Sequence, residues 1–298
     1  MKVRFQFFVI FLCIFVLGCS RVSKSSGSGH SNQEEPGQGI LNPSAPFEKV
    51  FIIVFENTDA AKALKQPYFK YLASKGAYLN KFYAVTHPSQ GNYVALTAGN
   101  LHGVSGDGDY DLDVTSIADL LEENGMTWKS YAEDYPGDCF NGTKSGKYYR
   151  KHNPFISYLN IQQNPLRCSN IVSSDQLWED IRNNELPTYS FYVPDIDNDG
   201  HDTGVAFADK WLKENFSDLI EDEDFMKDML FVVTFDESTF FGGNKIYTAL
   251  LGSGVIPNKK SEVRYDLYSL LRTIEDGLGI GTLNQKDETA VPIDDVWL

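Results

Sequence analysis

Lys49-Val-Phe-Ile-Ile-Val-Phe55, followed at once by Glu56-Asn57, is the stretch that decides the fold. After Lys49 the run is wholly apolar, and most of it is β-branched or aromatic. Such a run reads as a strand buried on both faces, the kind found in parallel sheets covered by helices. Met229–Phe235 (MLFVVTF) repeats the pattern and ends at Asp236-Glu237. Further strands are expected at Tyr78–Ala84, Thr127–Tyr131, Thr188–Val193 and Lys245–Leu251. Helices are expected at Asp59–Lys75, Asn92–Ala98, Ser116–Asn124, Asp175–Asn183, Gly204–Asn215 and Leu267–Gly277. Strands alternating with helices predict an α/β fold, a three-layer sandwich around a mostly parallel central sheet. Ligands of such sheets bind at the carboxyl ends of the strands, so polar clusters just after strands are the site candidates.

The chain has 298 residues, 42% apolar and 22% charged, enough for a full core. Its formal charge of −15 becomes −17 without residues 1–18, which carry only Lys2 and Arg4. Bulk charge therefore excludes nucleic acid and disfavours anionic membrane surfaces, and a phosphate substrate would need a bound cation to offset it. Lys2 and Arg4 precede the apolar run Phe5–Leu17, broken only by Gln6, and then Gly18-Cys19-Ser20, which predicts a signal segment over 1–19 and an exported protein. Val-Leu-Gly-Cys resembles a bacterial lipobox, with Cys19 as the lipid-carrying residue; a plain cleaved signal is the alternative. Residues 20–46, rich in Ser, Gly, Asn, Gln and Pro, read as a flexible tether, and the folded domain as 47–298. Within it, 134–171 has little periodicity and predicts a lid loop. Cys139 and Cys168 are the two cysteines left in the exported domain, which predicts a disulfide between them. Asn141 and Asn215 head glycosylation sequons that matter only in a eukaryotic host.

Four clusters follow strands or open helices: Glu56-Asn57, His87-Pro-Ser89, Asp195-Ile-Asp197-Asn-Asp199-Gly-His201 and Asp236-Glu237. Carboxylates at the ends of hydrophobic strands are costly unless paired or coordinated. Three carboxylates and an amide at one sheet edge suit one divalent cation, although Asn57 could equally cap a helix. Ser89 before a helix is an ordinary N-cap position. It is also a place where free N–H groups and the positive helix end favour an anion, and where a nearby metal would activate a hydroxyl. Asn92, one turn on, could donate a hydrogen bond to a phosphoryl oxygen.

The ordered segments FIIVFEN, HPSQGNY, KHNPF, VPDIDNDGHD and FDE, spread from residue 50 across nearly the whole domain, resemble the phosphoesterase family of the alkaline-phosphatase-like superfamily. That family contains acid phosphatases and phosphatidylcholine-type phospholipases C. The resemblance implies that Glu56, Asn57, Ser89, Asp236 and Glu237 hold the metal and that Ser89 attacks phosphorus to form a phosphoserine. Two-metal members use an Asp-x-x-x-His pair and a later His. Asp197 and His201 have that spacing, but no histidine follows His201. One metal is therefore expected, with Asp197 and Asp199 left as candidates for a second shell or second metal. His87, His152 or His201 would then supply the other positive charge and a proton for the leaving oxygen, favouring acid conditions. His102 reads as a loop-packing residue. Arg150 and Lys151, beside His152, either form a basic surface turn or meet a substrate phosphate. The expected substrate is a small phosphomonoester; a phospholipid head group attacked as a phosphodiester is the alternative, and a catalytically dead binding lipoprotein a third reading.

Overall fold

The computed structural model describes residues 47–298. The signal segment, the tether and the Cys19 lipidation reading lie outside the described residues. No helix among the described residues is long and apolar enough to cross a membrane.

Ten strands form among the described residues: β1 (Lys49–Phe55), β2 (Ala77–Tyr83), β3 (Trp128–Ala132), β4 (Lys144–Ser145), β5 (Tyr148–Tyr149), β6 (Ile171–Ser173), β7 (Tyr189–Val193), β8 (Met229–Phe235), β9 (Thr248–Leu251) and β10 (Lys259–Asp266). Eight of them make one sheet in the order β10-β2-β9-β8-β1-β7-β3-β6. β1 runs parallel to β8 and β7, β3 to β7 and β6, and β10 to β2. β9 alone runs antiparallel to its neighbours.

Successive residues of β7 show that helices cover both faces. Phe191 meets Tyr93 of helix Gln90–Ala98, with ring centroids 6.4 Å apart. Tyr192 meets Phe216 of helix Val205–Glu221 at 5.0 Å. Side chains alternate across a strand, so these helices lie on opposite sides and the sandwich has three layers. In β1, six consecutive residues, Val50–Phe55, are buried, as an all-apolar strand between two helical layers requires.

The expected helix at 59–75 is broken into Ala60–Ala63 and Pro67–Lys75, because Pro67 can begin a helix but not continue one. Helix Val205–Glu221 runs on past Asn215. β10 carries no apolar run; its sequence KKSEVRYD is that of an exposed edge strand, where charge discourages pairing with another chain. The segment at 134–171 is not a loose loop. It holds the β4–β5 hairpin, short helical turns and the Cys139–Cys168 disulfide, and it buries Tyr148, Phe155, Ile156 and Tyr158.

Candidate active site

β1 and β8 pair in register over their whole length, with Phe55 opposite Phe235. Both strands therefore stop together, and Glu56 and Asp236 emerge side by side at the carboxyl edge of the sheet. The chain turns sharply there. Asn57 adopts the left-handed region (φ 46°) and its N–H donates to Asp236 Oδ1 at 3.1 Å; Glu237 N–H donates to the same oxygen at 2.6 Å. A non-glycine residue in this region is uncommon, and such strain is characteristic of functional sites.

Helix Gln90–Ala98 begins at this edge. Ser89 does not cap it: the hydroxyl makes no capping bond and instead donates to Glu237 Oε1 (3.1 Å) and Glu56 Oε2 (3.3 Å). Asp107 accepts from the Gln90 N–H at 3.1 Å and so takes over the capping role. Asn92 is spent on the approach to the serine. Its Oδ1 accepts from Val85 N (2.9 Å) and Thr86 N (3.1 Å), and its Nδ2 donates to Thr86 O (3.0 Å). This places Asn92 as a brace of segment 85–89 rather than facing the serine hydroxyl.

The insertion at 134–171 delivers the positive charge. Arg150 is buried and clamped by Asn141 O (2.7 Å), Tyr110 O (2.6 Å) and Asp111 Oδ1 (2.5 Å), which makes it an anchor rather than a substrate contact. Asn153, on the other side, accepts from Ser130 Oγ at 3.1 Å. Between these anchors, Lys151 Nζ lies 2.9 Å from Asp107 Oδ2 and 3.7 Å from Glu56 Oε1. The buried His152 ring stacks on Tyr93 at 5.4 Å, with Nε2 against Glu56 Oε1 and Nδ1 3.2 Å from Asp199 Oδ2.

The acidic turn after β7 divides its labour. Asp195 accepts from the N–H groups of Asp197 and Asn198, both at 2.9 Å, and so folds the turn. Asp197 pairs with Lys147 at 2.6 Å. Asp199 turns into the centre, and the Glu56 N–H donates to its carbonyl at 3.1 Å. His201 stands exposed and its ring binds Asp202 at 2.7 Å. The four-residue spacing of Asp197 and His201 thus does not bring that pair to the cluster. Asp199 with His152 occupies the place, because the turn folded by Asp195 aims position 199 inward. His87 reaches Glu237 Oε2 through Nδ1. His102 packs onto Ala98 O at 3.1 Å, as a loop-packing residue should.

Electrostatics follow from this crowding. Burial pushes the Asp236 carboxyl well above its usual range, and the charges of Glu56 and Glu237 add to the shift. Burial also raises Glu237, against the pull of His87. Burial would raise Glu56 too, but the charges of His152 and Lys151 hold it down to about 2. Burial opposes a charged His152, yet Glu56 and Asp199 bring it up to about 10. The two carboxylates thus favour the protonated form of His152.

Two donor groups share Glu56: Glu56, Asp236 and Glu237, and Glu56, His152 and Asp199, each with ligand atoms within 4.8 Å of one another. Asp236 Oδ2 is buried with no hydrogen-bond partner. Converging carboxylate oxygens with an orphaned buried acceptor suit a hard divalent cation, so these residues fit a metal ion. Asp107 is the one member of the site that gave no sign in the sequence, since it lies in the glycine-rich stretch 103–108 without flanking pattern.

The fold is that of the alkaline phosphatase superfamily. A structure of a superfamily member from Vibrio parahaemolyticus matches with a TM-score of 0.58 at 13% identity, covering 80% of this chain and 69% of that one. Within that fold class, the chain belongs to the Phosphoesterase family, whose model matches residues 61–281. The protein named "Probable acid phosphatase" from Kluyveromyces lactis is 38% identical over 260 residues, 83% of this chain and 62% of that protein. A phosphatidylinositol-3-phosphatase from Mycobacterium tuberculosis is 32% identical over 273 residues, 88% of this chain and 87% of that protein. This chain thus spans under two thirds of the Kluyveromyces relative's length.

Proposed function

We propose that the chain hydrolyses phosphomonoesters through a phosphoserine at Ser89, as an acid phosphatase-type enzyme with one divalent metal ion. The observation that carries this reading is Ser89 itself: a helix-opening serine whose buried hydroxyl is aimed at Glu237 and Glu56 instead of at its own helix. The names of both curated relatives point the same way.

Glu56, Asn57, Asp236 and Glu237, with Ser89, would hold the ion; bound there, it supplies Lewis-acid stabilisation of phosphoryl charge and a lower pKa for the serine hydroxyl. Ser89 Oγ attacks phosphorus as its proton passes to Glu237, the bond to the leaving oxygen breaks, and that oxygen departs as an alcohol once protonated. Water then cleaves the Oγ–P bond, releasing phosphate and restoring the hydroxyl. His87, the partly exposed partner of Glu237, is placed to handle the leaving group's proton, and Asn92 keeps the serine segment in position. His152, locked between Glu56 and Asp199, does the work of a second cation, and Lys151 adds charge beside Glu56. The phosphate ester is small or is the head-group phosphate of a lipid. The signal-like N-terminus supports export, either as a plain cleaved signal or with Cys19 as the lipid-bearing position.

A chromogenic phosphomonoester assayed from pH 5 to 8 with wild type and Ser89→Ala, each before and after chelation, tests the reading. Turnover lost in both the variant and the chelated sample is expected. Turnover that persists in Ser89→Ala removes the nucleophile assignment, and turnover untouched by chelation removes the metal.

A further inference from the structure

The loop after β8 carries two large apolar side chains into solvent. Phe240 is 78% and Phe241 95% exposed, and their rings meet edge to face at 5.3 Å. An exposed aromatic pair of this kind offers apolar ring faces to a bound molecule. Its position is specific. Ser89 donates to Glu237, Glu237 binds His87, and the His87 ring lies 5.9 Å from Phe240. Exposure climbs along that path, from 1% at Ser89 through 30% at the His87 side chain to the two phenyl rings. The pair therefore stands at the rim of the site.

The loop is also built to hold the rings there. Asp59 Oδ1 accepts from Thr239 N (3.1 Å) and Thr239 Oγ1 (2.6 Å). Ser238 and Asn244 close the stem reciprocally, Ser238 N to Asn244 Oδ1 at 3.2 Å and Asn244 N to Ser238 Oγ at 3.0 Å. A Cβ at Gly242 would stand 2.1 Å from Asp59 Oδ1, so the tip packs tightly onto its anchor. Asn244 Nδ2 donates to Thr86 O (2.8 Å), the same carbonyl that Asn92 holds. One hydrogen-bonded frame thus fixes the aromatic tip relative to the serine segment.

We propose that Phe240 and Phe241 form a preset shelf for the apolar part of the substrate, and that the preferred substrates are soluble phosphate monoesters whose esterified group is aromatic or short-chain apolar. This rests on the phosphomonoesterase reading above. The phosphoryl end belongs among the buried carboxylates and cations, so the ester group points outward to the rim, where the phenyl faces are. The two rings offer an apolar aromatic face to an aromatic or apolar ester group, and the net charge of −15 disfavours an anionic bilayer as the occupant.

The test compares 1-naphthyl phosphate with glycerol 3-phosphate in the full chain and in Phe240→Ser/Phe241→Ser. The ratio of kcat/KM for the two esters should fall about tenfold, through KM, and Phe240→Leu/Phe241→Leu should keep most of it. A ratio unmoved by the serine variant overturns the shelf. Calorimetric binding of 1-naphthyl phosphate to Ser89→Ala, with and without the tip substitutions, reads the shelf without turnover: about tenfold weaker binding is expected and equal binding overturns it. Absence of wild-type turnover together with the binding difference would sink the hydrolysis reading alone. Loss of co-sedimentation with neutral phosphatidylcholine vesicles, with the ester ratio unchanged, would overturn the proposal in favour of a membrane contact.

Discussion

Among the described residues, two groups of buried acids have opposite surroundings. At the carboxyl edge of the sheet, Glu56, Asp199, Asp236 and Glu237 converge with His152, Lys151 and the Ser89 hydroxyl. On helix Leu267–Leu278 and in the turn that follows it, Glu275 and Asp287 are equally buried, each 0% exposed. Asp287 is satisfied by the N–H groups of Leu283 (2.7 Å) and Gln285 (3.0 Å), and it organises a turn. Both Glu275 oxygens lack a partner, and burial followed by the Asp287 charge pushes that carboxyl from 4.5 to about 9. A perturbed buried acid is thus not by itself a site. What distinguishes the first group is a nucleophile within hydrogen-bond reach, cations supplied from another segment and placement where parallel strands end.

Substitutions in the two groups should therefore differ in kind. Asp236→Asn should cost activity at least about 100-fold, since an NH2 that cannot ligate a cation replaces the orphaned Oδ2, while Oδ1 can still accept from the Asn57 N–H. The same change should raise the melting temperature of the metal-free protein by a few degrees, because an amide avoids the cost of keeping a buried carboxyl protonated beside Glu56 and Glu237. A stability loss with activity intact would mean the group is structural, like its counterpart. His152→Gln should cost about 10–100-fold in turnover or metal affinity, read by titrating metal against activity; an effect no larger than that of exposed His201→Gln would remove its role as a fixed cation.

Glu275→Gln should give the smallest change in turnover and a gain in stability that depends on pH. The folded chain holds the Glu275 proton up to about pH 9, while the unfolded chain loses it near 4.5. Its contribution is complete below the lower value and is lost as pH climbs toward the upper one, because unfolding then releases a proton. The glutamine variant escapes that loss. Its advantage in thermal unfolding should be near zero at pH 4.5 and on the order of 1–3 kcal/mol at pH 8. A variant less stable than wild type at pH 8 would show that an ionised Glu275 is accommodated after all.

Much of this contrast was legible in the sequence, for a physical reason. KVFIIVF and MLFVVTF read as strands covered on both faces, so the acids that follow them are expected at strand ends, and the in-register pairing of the two strands brings them to one sheet edge. Ser89 was readable because a helix start and a serine coincide. Position within the acidic turn was less so: Asp195, Asp197 and Asp199 look alike in sequence, and only the Asp195 hydrogen bonds decide that Asp199 points inward. The insertion hid its order because its strands and turns are too short to show a period, and Arg150 became an anchor through backbone carbonyls that no side-chain pattern reveals. β10 was missed because an edge strand needs charge where a central one needs apolar runs. Asp107 caps a helix from seventeen residues away in the chain, beyond any local signature.

The central claim is that Ser89 carries the phosphoryl group. Wild type mixed with a phosphomonoester, quenched in acid during turnover and digested should yield a phosphorylated peptide containing Ser89, absent from Ser89→Ala. Rapid turnover with no phosphate on that peptide, or phosphate on another residue in both proteins, would contradict it.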